Sequence, residues 1–304
     1  MTDIRRILCP VDFSETSAHA VEHAVAVAGW YKARITGLHV YNPLFTPIPG
    51  LPLPEDRVVP DADMQRVRGE TLRSFQAATA AGIGLDIAVD VGEAVPTILD
   101  QAARLPADLI VMGTHGAGGF EHLLLGSVTE KVLRRAPCAV MTVPPRARAT
   151  SALPFKRVLC AVDFSPPSLA ALELARSVAK ESGAALTIAH VVEWPWHEPP
   201  PPVFEELPPE QGAALAEYRR YVERSATQRL EALLPDAPRD RSTPTTRLVH
   251  GKPYTEILRL ATAEGVDLIV MGVHGRNRLD MALFGSTTNH IVRAAPCPVL
   301  TLRQ

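Results

Sequence analysis

Gly113-Thr-His-Gly116, followed after nine residues by Gly126-Ser127, occurs a second time as Gly272-Val-His-Gly275, followed after nine residues by Gly285-Ser286. Glycines at such positions let backbone N–H groups approach a phosphate without a Cβ in the way. The Gly-Ser pair then opens a helix, whose first N–H groups and dipole attract anions. The spacing therefore predicts a phosphate-binding loop that runs into a helix, present in two copies.

The repeat extends along nearly the whole chain of 304 residues. Residues 7–14, Ile-Leu-Cys-Pro-Val-Asp-Phe-Ser, return at 158–165 as Val-Leu-Cys-Ala-Val-Asp-Phe-Ser, and residues 108–113 return unchanged at 267–272. Each half is long enough to bury its own core. We therefore expect two like domains, residues 1–146 and 156–304, joined by a linker at 147–155.

Each half alternates short apolar runs with helical patterns, which is typical of βαβ units in a parallel sheet. Ser14 is a favourable N-cap for the first helix, and Val21, Ala24, Val25 and Ala28 recur at the spacing of one buried stripe. The sequence predicts an α/β fold with five parallel strands per half, in the first half at residues 6–11, 34–40, 85–91, 109–112 and 139–143.

Composition narrows the class of partner. The net charge is -2 and no basic run occurs, which argues against nucleic acid, since phosphate backbones require clustered Lys and Arg. No apolar stretch approaches the roughly 18 residues of a membrane span, and no signal-peptide pattern is seen, so we expect a cytoplasmic protein. The four cysteines show no Cys-x-x-Cys spacing, which favours buried thiols over disulfides or metal ligands.

The predicted loops fall where open α/β sheets bind ligands. Ligands lie beyond the carboxyl ends of the strands, where the chain order reverses. Asp12 ends the first predicted strand and the loop 113–116 leaves the fourth, and these two strands are expected to flank that point. Ser127 and Thr129 can add hydroxyl donors. No lysine follows the loop, so it is not a Walker A motif, and the Gly-x-Gly-x-x-Gly dinucleotide fingerprint is absent.

These residues carry a family resemblance. The glycine pattern, preceded by Pro10-Val-Asp-Phe-Ser14 and followed by residues 128–138, Val-Thr-Glu-Lys-Val-Leu-Arg-Arg-Ala-Pro-Cys, resembles the ATP-binding class of the universal stress protein family. The resemblance implies two tandem Rossmann-like domains of the adenine nucleotide alpha hydrolase-like kind, each with strand order 3-2-1-4-5. It also implies pairing through the last strands, so that one chain imitates a family homodimer, with further dimerisation of chains possible.

The resemblance also implies the residues of two ATP sites, with Mg²⁺ bridging the phosphates. Adenine and ribose would contact Val11, Asp12 and Val40. The ribose and phosphate side would be lined by Met112, Gly113, His115 and Gly116, and the phosphates held by Gly126, Ser127, Val128 and Thr129. The second site would use Val162, Asp163, Val191, Met271, Gly272, His274, Gly275, Arg276, Gly285, Ser286, Thr287 and Thr288.

One departure separates the two sites. Family members often carry a basic residue directly after the second glycine, and Arg276 stands there in the second half, where the first half has Ala117. Arg278 adds a second guanidinium to the same loop. Since charge-assisted hydrogen bonds to phosphate are strong, we expect the second half to bind ATP more tightly and to depend less on Mg²⁺.

Several residues have a purely structural alternative. Asp12 and Asp163 could cap the following helices. His115 and His274 fit a loop-shaping role better than that of a general base or zinc ligand, because no second ligand lies at the required spacing. His39 and His190 are expected to be satisfied residues of the core or rim, and the loop that starts at Trp194 to pack on its own domain.

Three functions remain open at this level. The favoured one is a nucleotide-dependent stress-response regulator that binds ATP in both halves with little or no hydrolysis. A slow ATPase, or an adenylating enzyme, would need a base or a lysine-bearing signature that the motifs lack. An interaction scaffold with non-functional sites is disfavoured because both copies keep the whole glycine pattern.

Overall fold

The computed structural model describes residues 3–42, 61–115, 125–145, 153–194, 209–234, 243–273 and 285–303. The chain divides into two compact units, one built from residues 3–153 and the other from residues 154–302. Phe155, which the sequence assigned to the end of the linker, is only 2% exposed and is part of the core of the second unit.

The first unit is a parallel sheet covered by helices. Its strands pair in the order β3-β2-β1-β4-β5, which confirms the order implied by the resemblance. Its elements are β1 (Arg6–Pro10), α1 (Glu15–Tyr31), β2 (Arg34–Tyr41), α2 (Asp61–Ser74), α3 (Gln76–Ala80), β3 (Leu85–Val91), α4 (Ala94–Arg104), β4 (Leu109–Gly113), α5 (Ser127–Arg135) and β5 (Ala139–Val143).

The second unit repeats this architecture. Its strands pair in parallel in the order β8-β7-β6-β9-β10, the same 3-2-1-4-5 arrangement. Its elements are β6 (Arg157–Ala161), α6 (Pro166–Ser182), β7 (Ala185–Val192), α7 (Pro209–Glu231), β8 (Thr245–His250), α8 (Pro253–Ala263), β9 (Leu268–Gly272), α9 (Ser286–Ala294) and β10 (Val299–Leu302).

The buried face of α1 is wider than the predicted stripe. Val21, Ala24 and Ala28 are buried as expected, but Val25 is only partly buried. Val27 and His23 are buried instead, at 0% and 1% exposure. The helix packs across several strands, so its apolar face covers more than one i, i+3, i+4 row.

An aspartate anchors the amino-terminal edge of each sheet. Oδ2 of Asp108 accepts hydrogen bonds from the backbone N–H groups of Arg5 and Arg6, both at 2.9 Å. Asp267 does the same for Lys156 and Arg157, at 2.8 and 3.0 Å. The repeated Asp-Leu-Ile-Val-Met-Gly run thus begins with a structural residue, at the edge opposite to the glycine loop.

The cysteines behave as buried thiols. Burial raises the pKa of Cys138 and of Cys160 to about 12, and raises that of Cys9 further. Across the described residues, no group of three His, Cys, Asp or Glu side chains is placed to hold a metal ion.

No helix in the described ranges is both long and apolar enough to cross a membrane.

Because His23 is buried, we expect the stability of the first half to decrease in acid. Burial lowers the pKa of His23 in the folded protein, whereas the same side chain has a pKa of about 6.5 in the unfolded chain. Below that pH the unfolded chain takes up a proton that the folded chain resists, so stability falls as the pH falls and is unaffected above it. The second half has Leu174 at the equivalent position. We expect His23→Leu to raise the melting temperature of the first half more at pH 5 than at pH 8, and an equal change at both pH values would contradict this.

Candidate functional site

The two strands that flank the predicted site are neighbours. β1 and β4 pair in parallel, with Ile7 opposite Leu109, so their carboxyl ends lie at the same edge of the sheet. The chain runs on from β1 through Val11 and Asp12, and from β4 through Thr114 and His115. The switch point expected from the sequence is therefore present, and β6 and β9 reproduce it in the second half.

The aspartate of each Asp-Phe-Ser turn supports the helix cap. Oδ1 of Asp12 accepts hydrogen bonds from the backbone N–H and the hydroxyl of Ser14, at 3.1 and 2.6 Å. Ser14 is the N-cap of α1, and its Oγ accepts a hydrogen bond from the N–H of Ser17. Asp163 and Ser165 repeat the arrangement at the start of α6. The aspartates thus orient the capping serines and do not themselves cap the helices.

An aromatic pair beside each aspartate was missed by the sequence reasoning. Phe13 has a positive φ of 62° and its ring stacks on His39, with the ring centroids 4.5 Å apart. Nδ1 of His39 lies 2.9 Å from the carbonyl oxygen of Val11. Phe164, with φ 63°, and His190 form the corresponding pair, tilted at 48°. The histidines are satisfied as expected, and they fix one aromatic ring at the carboxyl edge of each sheet.

Gly113 is required by packing between strand and helix. A Cβ at Gly113 would lie 2.7 Å from Cγ2 of Thr16 in the first turn of α1, and one at Gly272 would lie 3.0 Å from the backbone of Pro167 and Ser168. The first turns of α1 and α6 lie against these glycines, so Gly113 and Gly272 let the helix starts pack against β4 and β9. Their contact with the ribose and phosphate side stays a prediction.

The third glycine of each pattern, Gly126 or Gly285, lies against the strand-end residues that precede the loop. The N–H of Gly126 donates to the carbonyl oxygen of Thr114 at 2.8 Å, and a Cβ there would lie 3.0 Å from that oxygen. The hydroxyl of Thr129 donates to the carbonyl oxygen of Gly113 at 2.8 Å. Thr288 makes the matching contacts in the second half, at 3.3 Å. The hydroxyls of these buried threonines thus brace the loop, and their contact with a phosphate stays a prediction.

His115 has one ring nitrogen with a hydrogen-bond partner and one without, among the described residues. Its Nδ1 lies 2.9 Å from Oγ1 of Thr114, a residue that is 2% exposed. Its Nε2 is shielded from water and makes no hydrogen bond within the described part of the chain. A buried polar atom without a partner is costly, so Nε2 is suited to a hydrogen bond with a ligand.

The starts of α5 and α9 leave backbone donors for a ligand. Their N-caps are Gly126 and Gly285, which have no side chain to cap the helix, in contrast to the serine caps of α1 and α6. Ser127 and Ser286, the first helical residues, are exposed, and the first-turn N–H groups of a helix have no intrahelical acceptor. Such a terminus fits a phosphate.

The remaining predicted residues are described only in part. Val11, Val162, Met112 and Met271 are buried, at 4–5% exposure. Val40, Val128, Val191 and Thr287 are partly buried. Gly116, His274, Gly275 and Arg276 lie outside the described residues, as does Arg278. Trp194 packs with Val192 and Ala226 of its own half, as expected, whereas the residues that follow it are outside the described ranges.

Two parallel sheets of order 3-2-1-4-5 with glycine-opened helices at their switch points define a tandem Rossmann-like protein. A profile of the universal stress protein family matches residues 3–144 and 154–303. The chain therefore belongs to the universal stress protein family, as a member with two such domains.

Known universal stress proteins are similar to the whole chain or to about half of it. Universal stress protein Rv2005c of Mycobacterium tuberculosis is 27% identical over 304 residues, covering 98% of this chain and 97% of that protein. A universal stress protein of Thermus aquaticus is 34% identical over 155 residues, covering 49% of this chain and 99% of its own. The crystal structure of a universal stress protein from Archaeoglobus fulgidus has a TM-score of 0.67 at 26% identity and covers 98% of each chain.

Proposed function

We propose that each half binds ATP at the carboxyl edge of its sheet, with Mg²⁺ bridging the phosphates, and that the protein acts as a nucleotide-dependent stress-response regulator. The observation that carries the proposal is the glycine-opened start of α5, where Gly126 lies next to His115, together with the glycine-opened start of α9 in the second half. Glycine at both N-caps supplies no side chain to the first-turn N–H groups.

The chemistry of these groups suits a polyphosphate. The first-turn N–H groups and the positive end of the helix dipole attract anions, and the shielded Nε2 of His115 needs a hydrogen-bond partner. The exposed hydroxyls of Ser127 and Ser286 can add donors. Mg²⁺ keeps several waters and is often held through substrate phosphates, so an ion bound in this way needs no carboxylate cage from the protein.

Slow hydrolysis follows from the same groups. ATP cleavage requires a residue that positions or deprotonates water, usually aided by a lysine or arginine at the transferred phosphate. Asp12 and Asp163 are hydrogen-bonded to the capping serines, and residues 113–127 contain no lysine or arginine, whereas residues 272–286 contain Arg276 and Arg278 but no lysine. We therefore propose regulation through occupancy and conformation, with a slow ATPase as the second candidate.

The proposal extends to how the chain is organised in the cell. We propose a cytoplasmic location, and pairing of the two halves through their last strands, β5 and β10. An unpaired apolar edge strand is an aggregation hazard, and the duplicated domain is tethered nearby. Dimerisation of whole chains remains a further prediction.

Freshly purified protein tests the function. We expect acid to release ATP or its diphosphate from the protein, identified by chromatography, and added ATP to be hydrolysed at well below about one turnover per second. Faster turnover would favour the ATPase instead. A protein that neither carries nor binds an adenine nucleotide would support the scaffold.

A further inference from the structure

The residue that follows β4 differs from the residue that follows β9. Thr114 stands between Gly113 and His115 in the first half, and Val273 takes the same position in the second. Both side chains are buried, at 2% exposure each. Valine has nearly the shape of threonine but no hydroxyl. The two motifs therefore differ by one buried hydroxyl group directly before the histidine.

The hydroxyl of Thr114 has one hydrogen to donate and two acceptors within reach. Nδ1 of His115 lies 2.9 Å from Oγ1 of Thr114, whereas the carbonyl oxygen of Val143 lies 3.4 Å from it. That carbonyl oxygen already accepts the backbone N–H of Thr114 at 3.0 Å. The shorter distance and the occupied carbonyl favour donation to Nδ1.

This hydrogen bond decides which ring nitrogen of a neutral His115 carries the proton. A neutral imidazole has one N–H donor and one acceptor nitrogen, and the bond made by one nitrogen sets the state of the other. With Nδ1 as the acceptor, the proton is on Nε2. Because Nε2 is shielded from water and makes no hydrogen bond within the described part of the chain, its N–H needs an acceptor such as a phosphate oxygen.

Backbone contacts place Thr114 and His115 beside the start of α5. The N–H of Gly126, the N-cap of α5, donates to the carbonyl oxygen of Thr114 at 2.8 Å. A Cβ built on Gly126 would lie 3.6 Å from Cα of His115. The histidine is therefore next to the helix start at which the phosphates are proposed to bind.

We propose that Thr114 is a positioning residue of the first half: its hydroxyl holds neutral His115 with the proton on Nε2, which donates to a phosphate oxygen of the nucleotide. This inference rests on the proposed function of the site. Val273 has no hydroxyl and cannot hold a histidine ring in this way. The second half instead carries Arg276 directly after its second glycine.

Substitutions of Thr114 test the proposal in the full-length protein. Thr114→Val removes the hydroxyl and keeps the shape, whereas Thr114→Ser keeps the hydroxyl. Thr71→Val is the matched control, because it removes another buried hydroxyl of the same half, which donates to the carbonyl oxygen of Val67 in α2. Each variant is made in a Gly275→Val background, which is expected to silence the second site, and circular dichroism confirms folding.

The first readout is the position of the proton on the His115 ring. Proton–nitrogen NMR at about pH 8, where histidine is usually neutral, measures it, and His115→Gln assigns the signals by their loss. We expect the proton on Nε2 in the parent, with the Nδ1 resonance shifted by the hydrogen bond that it accepts. That shift should persist in Thr114→Ser and Thr71→Val and disappear in Thr114→Val. A proton on Nδ1 in the parent, or an Nδ1 resonance unchanged in Thr114→Val, would overturn the proposal.

The second readout is affinity, from calorimetric titrations with ATP and with adenosine. We expect Thr114→Val to lower ATP affinity about fivefold, and Thr114→Ser and Thr71→Val to keep it near that of the parent. Adenosine affinity should not change, since the nucleoside has no phosphate. Equal losses for ATP and adenosine, or no loss for ATP, would also overturn the proposal. If neither the parent nor the unmodified protein binds either compound, the proposed function fails, while NMR still tests the hydrogen bond from Thr114.

Discussion

Replacing Gly116 and Gly275 by valine is expected to abolish ATP binding to both halves. A valine side chain at the second glycine of each loop would stand where backbone N–H groups must approach phosphate oxygens. Loss of these charge-assisted hydrogen bonds should weaken binding by at least about 100-fold, measured by calorimetry. The single variants should each leave one site, so they also show whether the halves bind independently.

The control for this double variant changes a glycine in each half where space is available. Gly69 in α2 and Gly212 in α7 have no atom within 4 Å of a Cβ built on them. The Gly69→Ala and Gly212→Ala pair should keep the affinity of the unmodified protein. Undiminished ATP binding in the Gly116→Val and Gly275→Val protein would refute the assignment of the phosphate loops.

Gly37→Ala is expected to destabilise the first half by about 1–3 kcal/mol through overpacking. Gly37 lies in β2, and a Cβ there would lie 2.5 Å from Cε2 of Phe75. The Phe75 ring is fully buried, so it has no open space to move into. The lower free energy of unfolding should appear as an earlier transition of the first half in urea.

A double-mutant cycle identifies the cause. The second half has Ile188 where the first has Gly37, and Leu230 where the first has Phe75, with all four residues buried. The first half thus combines a glycine with a phenylalanine, whereas the second combines an isoleucine with a leucine. We therefore predict that Phe75→Leu restores part of the free energy of unfolding that Gly37→Ala removes. Gly69→Ala, in open space, should be neutral or slightly stabilising. Additive losses in the double variant would show that Phe75 does not mediate the effect.

The sequence predicted the fold well because its signals were local and present twice. Apolar runs located the strands, and Ser14 and Ser165 located the starts of α1 and α6. The strand order came from the family resemblance and not from periodicity. Val25 was misjudged because the buried side of α1, which includes Ala20, His23 and Val27, is rotated away from the predicted stripe and leaves Val25 at its margin.

The sequence predicted the switch point at which the candidate site lies, and the contacts of its residues with a nucleotide stay a prediction. The motif did not show that Gly113 packs on Thr16 or that the hydroxyl of Thr129 donates to the carbonyl oxygen of Gly113. Phosphate loops need support from strand and helix, and a motif does not show which of its residues provide that support. The contact of Arg229 with the Phe164 ring, 4.0 Å from the guanidinium carbon to the ring centroid, could not be foreseen either, because the two residues lie 65 positions apart and only the fold brings them together.

A calorimetric titration of unmodified protein with ATP and Mg²⁺ tests the central claim most directly, after bound nucleotide has been removed and its absence checked by absorbance. The two glycine-opened helix starts predict saturable binding of two ATP molecules per chain. No heat of binding, with no competition by ATP against a fluorescent analogue, would contradict the account of the site.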